Sequence, residues 1–298
     1  MFASVRTLAV SAALAGLALC AVPAQAFVYG GYHIMPTKSY AAKMAKLGHT
    51  PSGPMNYYGG SVFSSSKLVS VMWGSGVNST IVSTIPGFSG AIVDSTYVDQ
   101  MGEYSTKGVV TINGHKGTKQ TITRGSYLGQ VVITPKNQNT TLDDTDIQAE
   151  IKHQINIGAL PPRDPNTLYQ IYFPRDITIT LDGLTSCVDF GAYHFATIDT
   201  AISKKKNIFY AVEPDCGSGI SSITFAASHE FAEATTDNVP TPGSNPDFPQ
   251  AWNDSAGFEV GDKCSGHGTL TATGGSWIVT QYYLNSKNGC STGNYTSP

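Results

Sequence analysis

The chain has 298 residues, a formal net charge of −3, 41% hydrophobic residues and only 13% charged ones. That length and hydrophobic share support a substantial core and exclude a disordered chain. The near-neutral charge excludes a basic nucleic-acid footprint and a polybasic membrane patch, so no nucleic-acid partner is expected.

The first segment, "MFASVRTLAVSAALAGLALCAVPAQA" (1–26), reads as a signal peptide. It carries Arg6, an apolar stretch from Leu8 to Val22, and the small-x-small sequence Ala24-Gln25-Ala26. The mature chain is expected to begin at Phe27, with an uncleaved membrane anchor as the alternative. No later segment approaches the ~18 apolar residues that span a bilayer. The expectation is therefore a secreted, extracellular or periplasmic protein that leaves the membrane after cleavage.

Residues 27–58 show no period and read as an extended N-terminal arm; 59–298 read as one domain. Lys67–Gly74 reads as a buried strand. The stretch 78–105 predicts two helices split near Pro86-Gly87, with Ile92, Val93, Tyr97, Met101 and Tyr104 at helical spacing in the second. "GVVTING" (108–114) and "GQVVITP" (129–135) read as strands. The next helix is capped by Asp143 or Asp144, lined by Ile147, Ile151 and Ile155, and ended by Pro161-Pro162. "TLYQIYFP", "DITITLDG" and "NIFYAVEP" read as strands, and Ser203–Lys206 as a solvated turn. A helix then carries "SHEFAEATTDN", followed by a proline-rich loop and a late strand in "SWIVTQYYL". This order predicts a single α/β (mixed α+β) domain with a mixed sheet flanked by helices.

Cleavage would remove Cys20 and leave Cys187, Cys216, Cys264 and Cys290. Four cysteines allow three pairings. Cys187–Cys216 and Cys264–Cys290 are favoured, because each closes a short loop worth roughly 3 kcal/mol in the chain-entropy model. A zinc-thiolate site is disfavoured because there is no Cys-x-x-Cys spacing.

"SHEFAEATTDN" carries the chemistry. His229 and Glu233 stand at i and i+4, on one helix face, and can point at one ion. Glu230, beside the first ligand, can reach a metal-bound water as a base, following the logic of the zincin-type His-Glu-x-x-His helix. Glu233 replaces the second histidine; zinc accepts carboxylate oxygen, but the harder ligand set admits calcium or manganese. "AWNDSAGFEVGDKC" adds Asp254, Glu259 and Asp262. Glu259 is the first choice for a third ligand. Asp262 is a ligand or a group that holds His229, and His194 is a further candidate from outside the helix. Asp237 suits the helix end better than the ligand face, and His267 is a weaker candidate. A plain helix with a solvated Glu233 and a satisfied core His229 remains open. No Gly-x-Ser-x-Gly elbow supports a serine nucleophile.

Several separated segments are similar to one family. "YYGGSVFSSSKLVSVMWG", "IVSTIPGFSGAIVDSTYVDQMGEYS", "CVDFGAYHFAT", "SHEFAEATTDN", "AWNDSAGFEVGDKC" and "VTQYYLNSKNGCS" resemble the secreted EXORDIUM/phosphate-induced protein family and its bacterial and fungal relatives. The resemblance runs from about Tyr57 to Ser291 and implies that Glu at position 233 is a family trait. It implies an extracellular or wall-associated protein with a metallopeptidase-type site and no agreed substrate. Gly74 directly after Trp73, and Asp254, depart from the family pattern.

The leading expectation is a secreted metal-dependent hydrolase, a zinc metallopeptidase, with a peptide or protein substrate. Its ion ligands come from His229, Glu233, Glu259, Asp262 and His194, and Glu230 is the base. The alternative is a non-catalytic binding or signalling protein with a structural ion, whose partner is a cell-wall component. A carbohydrate binder using exposed tyrosines is a third reading.

Overall fold

The computed structural model describes residues 33–199, 206–240 and 246–298. The expected leader, its cut before Phe27, and residues 203–205 of the basic turn lie outside them. Six strands form the largest sheet: β1 (Met35–Pro36), β2 (Ser65–Met72), β3 (Thr123–Val132), β4 (Thr167–Tyr172), β5 (Phe190–Asp199) and β6 (Lys206–Glu213). Their spatial order is β1-β5-β6-β4-β2-β3. β6, β4, β2 and β3 run parallel to one another, while β5 is antiparallel to β6 and β1 antiparallel to β5. The chain is thus mixed α+β with a mixed sheet.

The alternation of side chains across each strand feeds two cores. Leu68, Met72, Leu168, Tyr172 and Ala211 face one side, with α2 (Ser79–Val93), α3 (Thr96–Met101) and α5 (Ile220–Thr236). Val69, Val71, Tyr169, Ile171 and Tyr210 face the other, with α4 (Asp144–Asn156) and Met44 of α1 (Lys38–Lys46). Strand β4 is buried along its whole length, as a strand covered on both faces must be. A smaller sheet of β7 (His267–Ala272), β8 (Gly275–Thr280) and β9 (Asn294–Thr296) packs on the far side of α5. The helix that holds the His-Glu pair is therefore enclosed by two sheets.

Helix α4 forms where expected, with Asp143 capping it in a reciprocal capping box with Asp146 and Ile147 and Ile151 buried, but it ends at Asn156, before Gly158 at φ 75°, and not at Pro161-Pro162. Both favoured disulfides form, Cys187–Cys216 and Cys264–Cys290, with Cα separations of 5.3 and 5.9 Å. They fit an oxidising, extracellular-type environment. Among the described residues, no helix is long and apolar enough to cross a membrane.

Three local expectations are corrected. Pro86 does not split its helix; α2 runs through it, because Ile85 and Phe88 on either side are fully buried and their packing outweighs the lost backbone bond. The break falls at Asp94, after which Ser95 caps α3. Residues 108–114 form turns and irregular backbone, not a strand; Val110 and Ile112 are exposed, and the Ile112 N–H makes a single bond to the Tyr57 carbonyl. The arm is docked as well as extended. Thr37 caps α1 within it, β1 joins β5, and Asn56–Tyr57 pairs with Trp252–Asn253.

Candidate metal centre

Helix α5 starts after Gly219, whose φ of 86° lies where a side chain would be strained. Four alanines, Ala226, Ala227, Ala232 and Ala234, let its neighbours approach closely. Gln170 donates to the Ala227 carbonyl at 2.7 Å, Tyr97 to the Ser228 carbonyl at 3.1 Å, and the Thr280 N–H to Ser228 Oγ at 2.8 Å. The helix is thus pinned at the turn that precedes His229. It ends at Asp237, whose carboxylate accepts from Ala251 N and Asn253 Nδ2 at 2.9 and 2.6 Å. Asp237 is a loop anchor at the helix end, as its position predicted.

One helical turn brings His229 Nε2 to 3.1 Å from Glu233 Oε1. Asp262 Oδ1, from the loop after the proline-rich segment, stands 3.6 Å from the same imidazole nitrogen. Gly261 makes this approach possible: a Cβ there would lie 2.8 Å from both His229 and Glu233. The Asp262 N–H donates to Glu233 Oε1 at 3.1 Å, which fixes the loop to the helix.

A second group lies deeper. His194 on β5 is buried, with Nδ1 3.2 Å from Glu230 Oε2 and 3.8 Å from Glu233 Oε2. Its Nε2 faces the Asp237 carbonyl at 3.0 Å and Glu259 Oε1 at 3.6 Å. Glu259, expected beside His229 and Glu233, joins this inner group; Asp262 takes the outer place. His194, Glu233 and Glu259 form one set of ligand-type atoms within 4.8 Å of one another, and His229, Glu233 and Asp262 form another.

Burial opposes a charged imidazole at His229, but Glu233, Asp262 and Glu230 outweigh it and raise its pKa well above the usual histidine range. His194 follows the same logic, pushed to about 10 by Glu259, Glu230 and Glu233 against burial. Burial lifts Glu230, with Glu233 adding to it and the two histidines opposing. Burial lifts Glu259 well above the carboxylate range, helped by Glu233, and takes Asp262 to about 6. Burial would raise Glu233 too, but His229 and His194 hold it below its ordinary value.

The donor set fits a cation. His229 Nε2, Glu230 Oε1 and Glu259 Oε1 are buried and have no hydrogen-bond partner. Such orphaned atoms cost about 1–3 kcal/mol each unless something meets them. Ligands around one tetrahedral zinc stand about 3.4 Å apart, near the separations found here. A cavity of about 320 Å³ opens onto His229 and Asp262, walled by Met35 and Ala41 from the arm and by Phe225 and Phe258.

The remaining candidates separate cleanly. Asp254 accepts from Ser52 N, Ala256 N, Phe258 N and Lys263 Nζ at 2.7–3.0 Å and anchors its loop. His267 is exposed on β7. Sequence reasoning missed His33, whose Nδ1 lies 3.0 Å from Glu259 Oε2, because it sits in an arm without pattern. It also missed Glu213 at the end of β6, a fully buried carboxyl lifted by burial and by Glu230. Its signal was a lone glutamate closing the apolar run "NIFYAVEP". No protein-family model, curated protein or solved structure matches this chain.

Proposed function

We propose that the chain is an exported metal-dependent hydrolase that cleaves peptides. The observation that carries this reading is a pair of consecutive residues, His229, which lines the cavity, and Glu230, buried behind it, each with a ligand-type atom left without a hydrogen bond. His229, Glu233 and Asp262 hold the ion that faces the cavity. A bound divalent ion supplies Lewis acidity to a substrate carbonyl. Zinc suits the imidazole; calcium or manganese suits the carboxylates. Glu230 accepts a proton from the attacking water at its free Oε1 and returns it to the leaving amine, while His194 holds its Oε2. Burial raises the pKa of Glu230 above the ordinary carboxylate value, which makes it a stronger base. The apolar walls of the cavity suit an apolar side chain of the substrate. The leader, the disulfides and the EXORDIUM-like segments support secretion to a wall-associated setting.

The test is cleavage of a peptide library by the metal-loaded protein beside Glu230→Gln. Loss of about 10²-fold or more in the variant is expected. Equal cleavage by both proteins would sink the role of Glu230. The second reading, a structural ion in a binding or signalling protein, draws on the complete burial of Glu230 and Glu259. Metal removal would then lower the melting temperature while neither protein cleaves any peptide or binds substrate-like ligands.

A further inference from the structure

We infer that the centre holds two ions bridged by the Glu233 carboxylate, an outer one at the cavity and an inner one between β5 and the loop carrying Glu259. This rests on the metal-hydrolase reading and extends it to a second site. The two oxygens of Glu233 face different partners: Oε1 lies 3.1 Å from His229 Nε2, and Oε2 lies 3.8 Å from His194 Nδ1, in a set of ligand-type atoms that also includes Glu259. A carboxylate placed in this way joins two ions at the roughly 3.5–4 Å spacing of two-metal hydrolytic sites.

The inner site has its own ligands. His194 Nε2 has Glu259 Oε1 at 3.6 Å and the Asp237 carbonyl at 3.0 Å, and His194, Glu259 and Glu233 offer ligand-type atoms within 4.8 Å of one another. Glu230 Oε2 receives His194 Nδ1–H, the outer-shell carboxylate that orients a ligating imidazole. Independent of the acidic cluster as such, Glu259 is fully buried and its Oε1, on the side of His194, accepts no hydrogen bond. Buried charge needs compensation. Among the described residues, the ion pairs of Glu230, Glu233, Glu259 and Asp262 are all with histidines, which are neutral when they ligate. The cavity is lined by His229 and Asp262 but not by His194 or Glu259, so the outer ion exchanges and the inner one is retained.

The experiment is metal stoichiometry of the untagged full chain loaded with manganese, by mass spectrometry and electron paramagnetic resonance. Two ions per chain with a spin-coupled signal are expected. His229→Ala and the isosteric Glu259→Gln should each retain one ion and lose the coupling. Brief chelation should remove one ion from the native protein, and that protein should then match His229→Ala. A single ion per chain lost in His229→Ala would overturn the inner site and leave the hydrolase reading standing. Two ions without coupling would overturn the bridge. No ion after loading with zinc, manganese or calcium would overturn both the inference and the reading beneath it.

Discussion

His33 Nδ1 lies 3.0 Å from Oε2 of Glu259, so the arm is joined in the buried interior to a loop far along the chain. Gln250 Nε2 approaches His33 Nε2 at 2.9 Å. An amide nitrogen only donates, so His33 accepts there and carries its proton on Nδ1, toward Glu259. Burial lowers the pKa of His33 and keeps this imidazole neutral. His33→Ala leaves Glu259 and Gln250 with one partner fewer. It should cost about 1–3 kcal/mol in chemical denaturation of the ion-free protein. A change within error would show that the arm does not support the loop.

The two raised histidines predict how ion binding depends on pH. His194, at about 10, and His229 both hold protons at pH 7 in the ion-free protein. A cation must displace them, so its affinity rises with pH and falls steeply below about 6, where Asp262 also takes up a proton. Titration calorimetry at pH 7 in buffers of different ionisation enthalpy should report release of roughly one to two protons per chain. Heats independent of the buffer would contradict this protonation scheme.

Gly261 is fixed by what surrounds it. A methyl group there meets His229 Nδ1 and Glu233 Oε1 at 2.8 Å. Gly261→Ala should push the Asp262 loop off the helix, lower stability by about 1–3 kcal/mol and weaken ion binding. Equal metal content and equal melting temperature in the variant would show that the loop yields without consequence.

The cavity wall gives a test that spares the ligands. Ala41, on α1, faces the cavity without touching the centre. Ala41→Trp should fill that space and reduce peptide cleavage at least tenfold while metal content stays unchanged. Undiminished cleavage would place the substrate elsewhere.

The cap of α4 provides a control remote from the site. Burial opposes ionisation of Asp143, but hydrogen bonds from Thr145 and Thr180 hold its pKa below 3.8. A depressed folded pKa contributes stability that is complete above the unfolded value and is lost as pH falls through the folded one. Asp143→Ala should therefore cost about 1 kcal/mol at pH 7. The difference between wild type and variant should shrink as the pH drops below 3.8.

Local rules made much of this architecture legible. The i, i+4 spacing placed His229 and Glu233 on one face, the capping pattern located Asp143, and loop length favoured the disulfide pairs that form. Long-range packing was not legible. Nothing in the arm's composition announces that His33 reaches Glu259, or that Thr37 caps a helix. Pro86 is a local breaker overruled by the burial of Ile85 and Phe88. The division of Glu259 and Asp262 between two groups depends on how a loop turns at Gly261, which spacing alone does not encode. Glu213 and Gln170 underlie Glu230 only because β4 and β6 are neighbours in the sheet.

The two disulfides lie where the centre is held together. Cys187–Cys216 ties the approach to β5, which carries His194, to the approach to α5, which carries His229 and Glu233. Cys264 continues the loop of Glu259 and Asp262, and its bond to Cys290 secures that loop to the C-terminal segment. A chain in a reducing compartment has neither tie, and its donors are aligned by packing alone. Oxidation of four thiols thus fixes the relative placement of three separate chain segments that packing would otherwise have to hold unaided.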